Sequence, residues 1–498
     1  MRTANTISKR ASAIRLGIAS LFLLLLGGCA VGPRYSRPTA TVPPAFKELP
    51  QNWKTAQPSD EIARGKWWEI FRDPQLNTLE EQINVSNQNI KAAEAQFRQA
   101  RALVRYYRSN YYPTLTTSPS VTRSHSSSNR PPASQLSGKT FTDYLLPGDL
   151  SYEVDVWGRV RKTVESAREN AQASAADLAS VNLIMHSELA SDYLQMRSLD
   201  AERQLLDSTV AAYQRALELT ENRYHGGVAS GVDVAQAQTQ LKTTLAQAID
   251  LDVQRSQFEH AIAALIGQPA STFSLARLPL TTPPPVIPAG LPSELLDRRP
   301  DIAAAERRVA AANAQIGVAK AAYYPTITLS ASGGFESGAP GTWLSGPSAF
   351  WAAGPAAALT LLDFGRRRAA SEQAWATYDQ TVANYRETVL TAFQQVEDNL
   401  SALRILEGEA QTQNDAITAA QHSLELSTNR YKGGVTTYLE VITAQTTALS
   451  DERTAVQILG RRMTAAVNLI QALGGGWDAS QLPSARDLSH PQQRAGGQ

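Results

Sequence analysis

From Arg159 to His225 the chain contains neither glycine nor proline, and from Arg366 to Lys432 only Gly408 interrupts. Each stretch reads as one very long helix or as two stacked end to end. At 1.5 Å per residue, each rod would be on the order of 100 Å long. No globular domain has room for such a rod. The two rods are copies of one another: Leu217-Glu218-Leu219-Thr220-Glu221-Asn222-Arg223-Tyr224-His225-Gly226-Gly227-Val228 returns as Leu424-Glu425-Leu426-Ser427-Thr428-Asn429-Arg430-Tyr431-Lys432-Gly433-Gly434-Val435. The same register, without a gap, carries Trp157-Gly158-Arg159 onto Phe364-Gly365-Arg366 and Ile266-Gly267 onto Leu473-Gly474. A tandem duplication of about 200 residues follows from a match of that extent. Each rod ends at a glycine pair, Gly226-Gly227 or Gly433-Gly434, suited to stopping a helix and reversing the chain. A second helical stretch then runs back toward Gly267 or Gly474, so the unit is a long helical hairpin. Its helices are rich in Ala, Gln, Ser and Thr, a composition for close packing around water and not for a thick apolar core. Helices alone would also suit a structural coiled coil.

The flanking segments argue against that. After Pro113, Leu115, Thr117, Pro119 and Val121 alternate with Thr116, Ser118, Ser120 and Thr122; after Pro325, Ile327, Leu329 and Ala331 alternate with Thr328, Ser330 and Ser332. That is the two-residue period of a strand with one apolar and one hydroxylated face. Leu150, Tyr152, Val154 and Val156 against Ser151, Glu153 and Asp155 give another strand, and Phe350 to Leu362 a fourth that alternates poorly around Gly354 and Pro355. Ser124–Ser137 and Gly338–Pro347 are the expected hairpin loops. A wall between lipid and water has this alternation. Four strands cannot close a membrane barrel, whose smallest examples have about eight, and open edges are not tolerated in lipid. Oligomerisation is therefore required; two chains give eight strands and three give twelve, and periodicity does not choose.

The amino-terminal end points to the same surface. Basic residues Arg2, Lys9, Arg10 and Arg15 precede an apolar run from Leu16 to Leu26, and Gly27-Gly28 lead into Cys29, the one cysteine of the chain. This is the three-part layout of a secretory signal, too short for an ordinary transmembrane helix. Its small-small-Cys ending resembles a bacterial lipobox, which implies cleavage before Cys29 and acylation of its sulfur and new amino group. Ala30 after the cysteine implies sorting to the outer membrane. The alternative is a simple signal with an unmodified Cys29, an exported thiol without a disulfide partner. Several acyl chains hold a protein where one is marginal. The formal net charge of +1 becomes about −3 once four positive charges leave with the signal, and nothing asks for nucleic acid. Six scattered histidines and one cysteine leave no ligand cluster for a metal, no cofactor is implied, and neither a Gly-x-Ser-x-Gly elbow nor a phosphate loop speaks for an enzyme.

Taken together, these features resemble the TolC family of outer-membrane efflux proteins, and within it the lipoprotein branch of NodT/OprM-like outer-membrane factors of RND pumps. The resemblance rests on the lipobox at Cys29, Leu295-Leu296-Asp297-Arg298-Arg299-Pro300-Asp301-Ile302, the paired Tyr111-Tyr112-Pro113-Thr114 and Tyr323-Tyr324-Pro325-Thr326, Asp155-Val156-Trp157-Gly158-Arg159 with Asp363-Phe364-Gly365-Arg366, and the two Asn-Arg-Tyr-x-Gly-Gly-Val tips. It implies a mainly α fold with a β-barrel part: long α-helical hairpins forming a periplasmic tunnel, and four strands per chain in a trimeric 12-stranded outer-membrane barrel. The expected organisation is a signal peptide over 1–28, a lipidated segment over 29–75, repeats over 76–280 and 293–476, a Pro-rich linker over 281–292 and a tail over 477–498.

The resemblance also implies a passive exit duct for small molecules such as drugs. Its partners would be a periplasmic adaptor and an inner-membrane RND-type transporter, with a type I protein-secretion duct as the alternative. In the family the helix turns form a closed periplasmic entrance held by an Asp, a Tyr and basic residues. Position by position this makes Asp233, Tyr431 and Glu440 gate candidates, at tips formed by Gly226, Gly227, Gly433 and Gly434. Thr436 stands where some relatives carry a basic residue, so Arg430, Arg223 or Lys432 would substitute. Asp233 and Glu440 have a second reading, as acids favouring the first turn of the returning helices. Arg298-Arg299-Pro300-Asp301 reads as a helix start, the Tyr-Tyr-Pro motifs as helix stops or membrane-boundary rings, and Gly158 and Gly365 as bends.

Overall fold

The long Gly/Pro-free stretches are single helices in the computed structural model, which describes residues 30–48, 65–129, 137–287 and 292–489. Cys29 and the signal lie outside the described residues, as do residues 130–136 of the 124–137 loop. The first copy has α1 (Pro74–Ser86), α2 (Gln88–Ser109), β1 (Thr114–Thr116), β2 (Ser120–His125), β3 (Thr140–Val154), α3 (Arg159–His225) and α4 (Gly231–Leu265). The second has α5 (Pro300–Ala321), β4 (Thr326–Ser337), β5 (Ala349–Ala358), α6 (Arg366–Lys432) and α7 (Tyr438–Ala472). Helices α3 and α6 are each 67 residues long and α4 and α7 each 35, and their ends fall at matching positions of the two copies.

Two strand expectations need correction. The first strand is broken into β1 and β2 around Pro119, because proline cannot donate to the ladder, and β2 continues to His125 inside the expected loop. The fourth ends at Ala358 and not at Leu362. All strands form one antiparallel sheet, with β1 and β2 both on β3, then β4, then β5. Its centre joins the two copies, Leu150 opposite Ala331 and Tyr152 opposite Leu329. Among the described residues both outer edges are unpaired within the chain, and Leu115, Val121 and Trp351 are exposed.

The strand-to-helix returns use one device twice. Gly158 (φ 80°) and Gly365 (φ 92°) turn in the left-handed region open to glycine. Asp155 accepts from the N–H groups of Val160 and Arg161, and Asp363 from those of Gly365 and Arg367, which satisfies orphan donors at the helix start. Trp157 stacks on Tyr324 and donates from Nε1 to Pro325 O at 2.8 Å. Tyr324 and Pro325 of the second Tyr-Tyr-Pro motif thus meet the first copy through Trp157, although Tyr323 and Tyr324, like Tyr112, remain exposed. Pro300 sits at the start of α5, and Arg299 donates to Asp301, Gln395 and the α7 end carbonyl of Ala472, a structural clamp.

Against the expectation from helix composition, a thick apolar core does form halfway along the rods, because the elements packed there add large apolar side chains to those of the rods. There the Trp67–Phe71 turn, α1 and the start of α5 pack on the middles of α3 and α6, with Leu76, Ile83, Leu189, Tyr193, Ile302, Tyr385 and Val396 all buried. Toward the sheet the wall runs α2, α3, α5, α6; toward the tips it runs α4, α3, α7, α6. Helix α3 is therefore covered on both flanks, with Val160, Val164, Ala171 and Ala176 buried. Its counterpart α6 is buried only from Tyr385 onward and exposes Trp375, Leu390 and Ile405.

Two extended segments lie over the copies. Residues 30–48 run along α5 and α6 from the sheet end to mid-tunnel. Val31 N–H donates to Trp157 O (3.1 Å), Asn313 to Pro33 O, Tyr35 to Glu306 and Arg386 to Thr39 O; the N–H groups of Lys47 and Glu48 reach Glu397, and Glu48 pairs with Arg404. The carboxy-terminal tail returns the other way over α2 and α3, seating Leu488 on Val104, Ala167 and Ala171 while Arg108 donates to Ser489 O.

Candidate functional site: the helical tips and the anchor

Each rod ends in the same doubly hydrogen-bonded stop. Val228 N–H reaches Arg223 O and Gly227 N–H reaches Tyr224 O; Val435 N–H and Gly434 N–H do the same to Arg430 O and Tyr431 O. The second glycine of each pair takes the left-handed conformation, Gly227 at φ 75° and Gly434 at 73°, while Gly226 (−78°) and Gly433 (−74°) remain helical. This is the Schellman arrangement, which ends a helix by satisfying its last carbonyls.

Asp233 closes a capping box: its N–H donates to Ser230 Oγ (3.2 Å) and its Oδ2 accepts from Ser230 N–H (3.0 Å). The helix-start reading therefore describes its geometry within the chain. Glu440 lies in the first turn of α7 and pairs with Arg430 at 3.3 Å, both partners about half exposed. Tyr431 is buried at 5 % exposure, and its Oη finds no hydrogen-bond partner among the described residues. What holds its ring is Arg223, whose guanidinium lies 4.8 Å from the ring centroid and donates to Lys432 O at 3.1 Å. Asp233 and Tyr431 are therefore not hydrogen-bonded to one another.

Two residues not singled out in the sequence complete this cluster. Tyr438 meets Tyr431 with ring centroids 5.1 Å apart, and Tyr213 donates to Gln445 O across the two hairpins. With Leu217, Ala237, Leu241 and Val441 they form a small apolar core of their own at the tips. Burial, then the neighbouring Tyr431, Tyr213 and Asp233, pushes the Tyr438 phenol up to about 12. A signal for them exists in the duplication: Tyr438 stands where the first copy has Gly231, and Tyr213 where the second has Ala420.

At the other end, the residue after Cys29 is fixed. Ala30 lies against Gly158, so close that a Cβ there would stand 2.9 Å from that of Ala30, and Val31 is hydrogen-bonded to Trp157. Ala30 and Val31 thus abut the base of the sheet. Among the described residues no group of histidine, cysteine or carboxylate side chains could hold a metal, and no helix is long and apolar enough to cross a membrane.

The family model for outer membrane efflux proteins matches residues 79–268 and 291–475, the two copies in turn. The chain belongs to the outer membrane efflux protein family. It is 32% identical over 467 residues to the pyoverdine export outer membrane protein OpmQ of Pseudomonas aeruginosa, covering 93% of this chain and 97% of that one. To the toluene efflux pump outer membrane protein TtgC of Pseudomonas putida it is 31% identical over 462 residues, 91% and 94% covered. Among solved structures, the outer-membrane channel OprN superposes with a TM-score of 0.84 at 30% identity, covering 90% of this chain and all of that one. VceC of Vibrio cholerae gives 0.77 at 28%, covering 83% and 99%. The chain is thus an outer-membrane efflux channel protein, with its two hairpins as tunnel wall and its strands as the barrel part.

Proposed function

We propose that three copies close into one continuous duct, a 12-stranded barrel over a helical tunnel, and that it serves as the passive exit of a tripartite efflux pump. The observation carrying this reading is the matched pair of flanks. The sheet has an open edge on either side, and α6 leaves bare the surface that α3, its counterpart, buries against α5 and α7. By the internal symmetry of the duplication, α2 and α4 of the next copy supply the missing cover, and the exposed Leu103, Tyr106, Ile249 and Val253 on those helices support this. The relatives named for pyoverdine and toluene export support a small-molecule cargo. A periplasmic adaptor and an inner-membrane RND-type transporter would supply coupling and energy.

Cys29 is the proposed lipid anchor, one residue from the base of the sheet in the outer membrane of a Gram-negative cell. Asp233, Tyr431, Glu440 and Arg430, around the turns at Gly226-Gly227 and Gly433-Gly434, are the proposed periplasmic gate. One experiment tests the reading. In a strain lacking its own outer-membrane channel, the wild-type protein restores export of a fluorescent dye, and the Cys29→Ser variant carries no acyl mass. Failure to restore export with a matched adaptor and pump present, or an unmodified Cys29 in the mature wild-type protein, overturns it.

A further inference from the structure

The sheet sorts its charges by face. Every second residue of β3, among them Tyr144, Leu146, Leu150 and Tyr152, lies on one face, and the strand pairings carry Val121 and Leu329 onto the same side. The opposite face carries Asp143, Asp149, Glu153 and Glu336, and among its described strand residues neither Lys nor Arg. The apolar face carries one formally charged side chain, Arg123. In a closed barrel the apolar face meets lipid and the acidic face lines the water-filled bore.

Arg123 belongs to a compact polar patch on that lipid side. It stands opposite Thr142, and His125 stands opposite Thr140 on the same pair of strands. His125 Nδ1 lies 2.9 Å from Thr140 Oγ1. Arg123 is exposed, and among the described residues its guanidinium has no hydrogen bond or ion pair. The second copy does not repeat the patch, since Phe335 and Ala349 take the places of Arg123 and Thr142. One such patch per chain therefore needs an explanation of its own.

Its height supplies one. Thr142 lies ten residues along β3 from Tyr152, close to the base of the sheet where Trp157 stacks on Tyr324. Ten strand residues cover about 34 Å, or about 26 Å along the axis of a barrel whose strands tilt by about 40°. The apolar band of an outer-membrane barrel is about 25 Å tall. Arg123 thus stands at the outer headgroup level. A cation facing lipid is costly at mid-membrane and nearly free at that level, where it meets phosphate.

We propose that Arg123, with His125, Thr140 and Thr142, binds the phosphorylated sugar headgroup of an outer-leaflet glycolipid, one molecule per chain on the rim of the barrel. The guanidinium takes phosphate through parallel N–H donors, and the imidazole and hydroxyls beside it match the hydroxyls of a sugar ring. No acid on that face opposes the anion. The inference rests on the closed-barrel reading above, and its test separates the two. Full-length protein in mild detergent is titrated with bisphosphorylated lipid A, with the same lipid stripped of its phosphates, and with phosphatidylglycerol, and bound lipid is counted by native mass spectrometry. Wild-type trimers are expected to hold bisphosphorylated lipid A up to one molecule per chain. Arg123→Gln should weaken that binding about tenfold, the loss of one charge-assisted contact, and Arg123→Lys should restore part of it. Thr122→Val, one residue away on the bore face, should bind as wild type. Equal binding by wild type and Arg123→Gln, or equal binding of the phosphate-free lipid, overturns the site. Phosphatidylglycerol held as tightly as lipid A overturns the glycolipid as occupant. Should Arg123→Gln lose its trimer mass, the two forms of lipid A on the wild-type protein decide the matter. A monomer mass for the wild type sinks the closed-barrel reading and this inference with it, whereas lipid counts on a trimer judge the site alone.

Discussion

At the scale of single residues, the tip tyrosine works through its ring. Its hydroxyl is buried without a partner while the ring is covered by Arg223 and Tyr438. Tyr431→Phe is therefore expected to keep wild-type conductance in a planar bilayer, whereas Tyr431→Ala, which empties the contact, raises it; equal conductance of the two variants contradicts this. Asp233→Ala removes a capping box and should cost about 1 kcal/mol of local stability, seen as faster amide exchange in the first turn of α4. A second residue-scale case lies in the mid-tunnel core. Glu80 is fully buried, its Oε2 lies 2.5 Å from His186 Nδ1, and Trp68 stacks on the imidazole. Burial alone pushes Glu80 up from 4.5 to about 9 and His186 down from 6.5 to about 4. The folded Glu80 holds a proton that the unfolded chain releases above 4.5, so its contribution is lost as pH rises toward 9. Folded His186 stays neutral where the unfolded chain is charged, so its contribution is lost as pH falls from 6.5 toward 4. The two slopes oppose between 4.5 and 6.5, and above 6.5 only the Glu80 slope remains. The melting temperature should fall from pH 6.5 to 9, and Glu80→Gln should flatten that fall; an unchanged slope would falsify the assignment.

At the scale of elements, the helices were legible and the strands less so, for a physical reason in each case. A helix of 67 residues needs only the absence of breakers over its length, and its stop is written in a glycine pair. The strands had to be found by alternation, which Pro119 breaks in the first and the Ala-Ala-Gly-Pro run around Gly354 blurs in the fourth. The candidate site was legible as a location, the tips, because the repeat puts the same motif at both. Its packing was hidden, because Tyr213 and Tyr438 lie outside the repeated motif and their importance shows only once four helix ends converge. The reversal itself is testable. Nothing lies within 4 Å of a Cβ added to Gly227 or Gly434, so substitution there acts through backbone strain and not through collision. Gly227→Val with Gly434→Val should cost about 1–2 kcal/mol at each turn, lower adaptor cross-linking at the tips and leave barrel assembly intact. Gly226→Ala, at a helical φ, should be close to neutral; a double valine variant with full export contradicts the tip assignment.

At the scale of the whole molecule, the duplication sets what one chain leaves unfinished. A sheet with two bare edges and a rod with one bare flank are stable only when copies meet copies, so the folded monomer and the closed ring are expected to appear together. Sedimentation of the detergent-solubilised protein should give a trimer without a helical monomer alongside it, and a stable monomer with native helicity would overturn the proposed closure. The tail adds a second handle on the same assembly. Removing residues 483–498 uncovers Val104, Ala167 and Ala171 and should lower the melting temperature by several degrees, with the β-sheet signal retained.

The segment that follows Cys29 gives the molecule a mechanical property. It is fastened at the base of the sheet through Val31 and again at mid-tunnel through Glu48, with Pro33, Tyr35 and Thr39 tied to α5 and α6 between. A pull along the tunnel axis, such as a docked pump would exert, stretches this strand lengthwise. Its bonds to the neighbouring helices then share the tension side by side instead of tearing open one after another. The end at residue 30 acts as the upper mooring of a stay that runs from the base of the sheet down the tunnel wall.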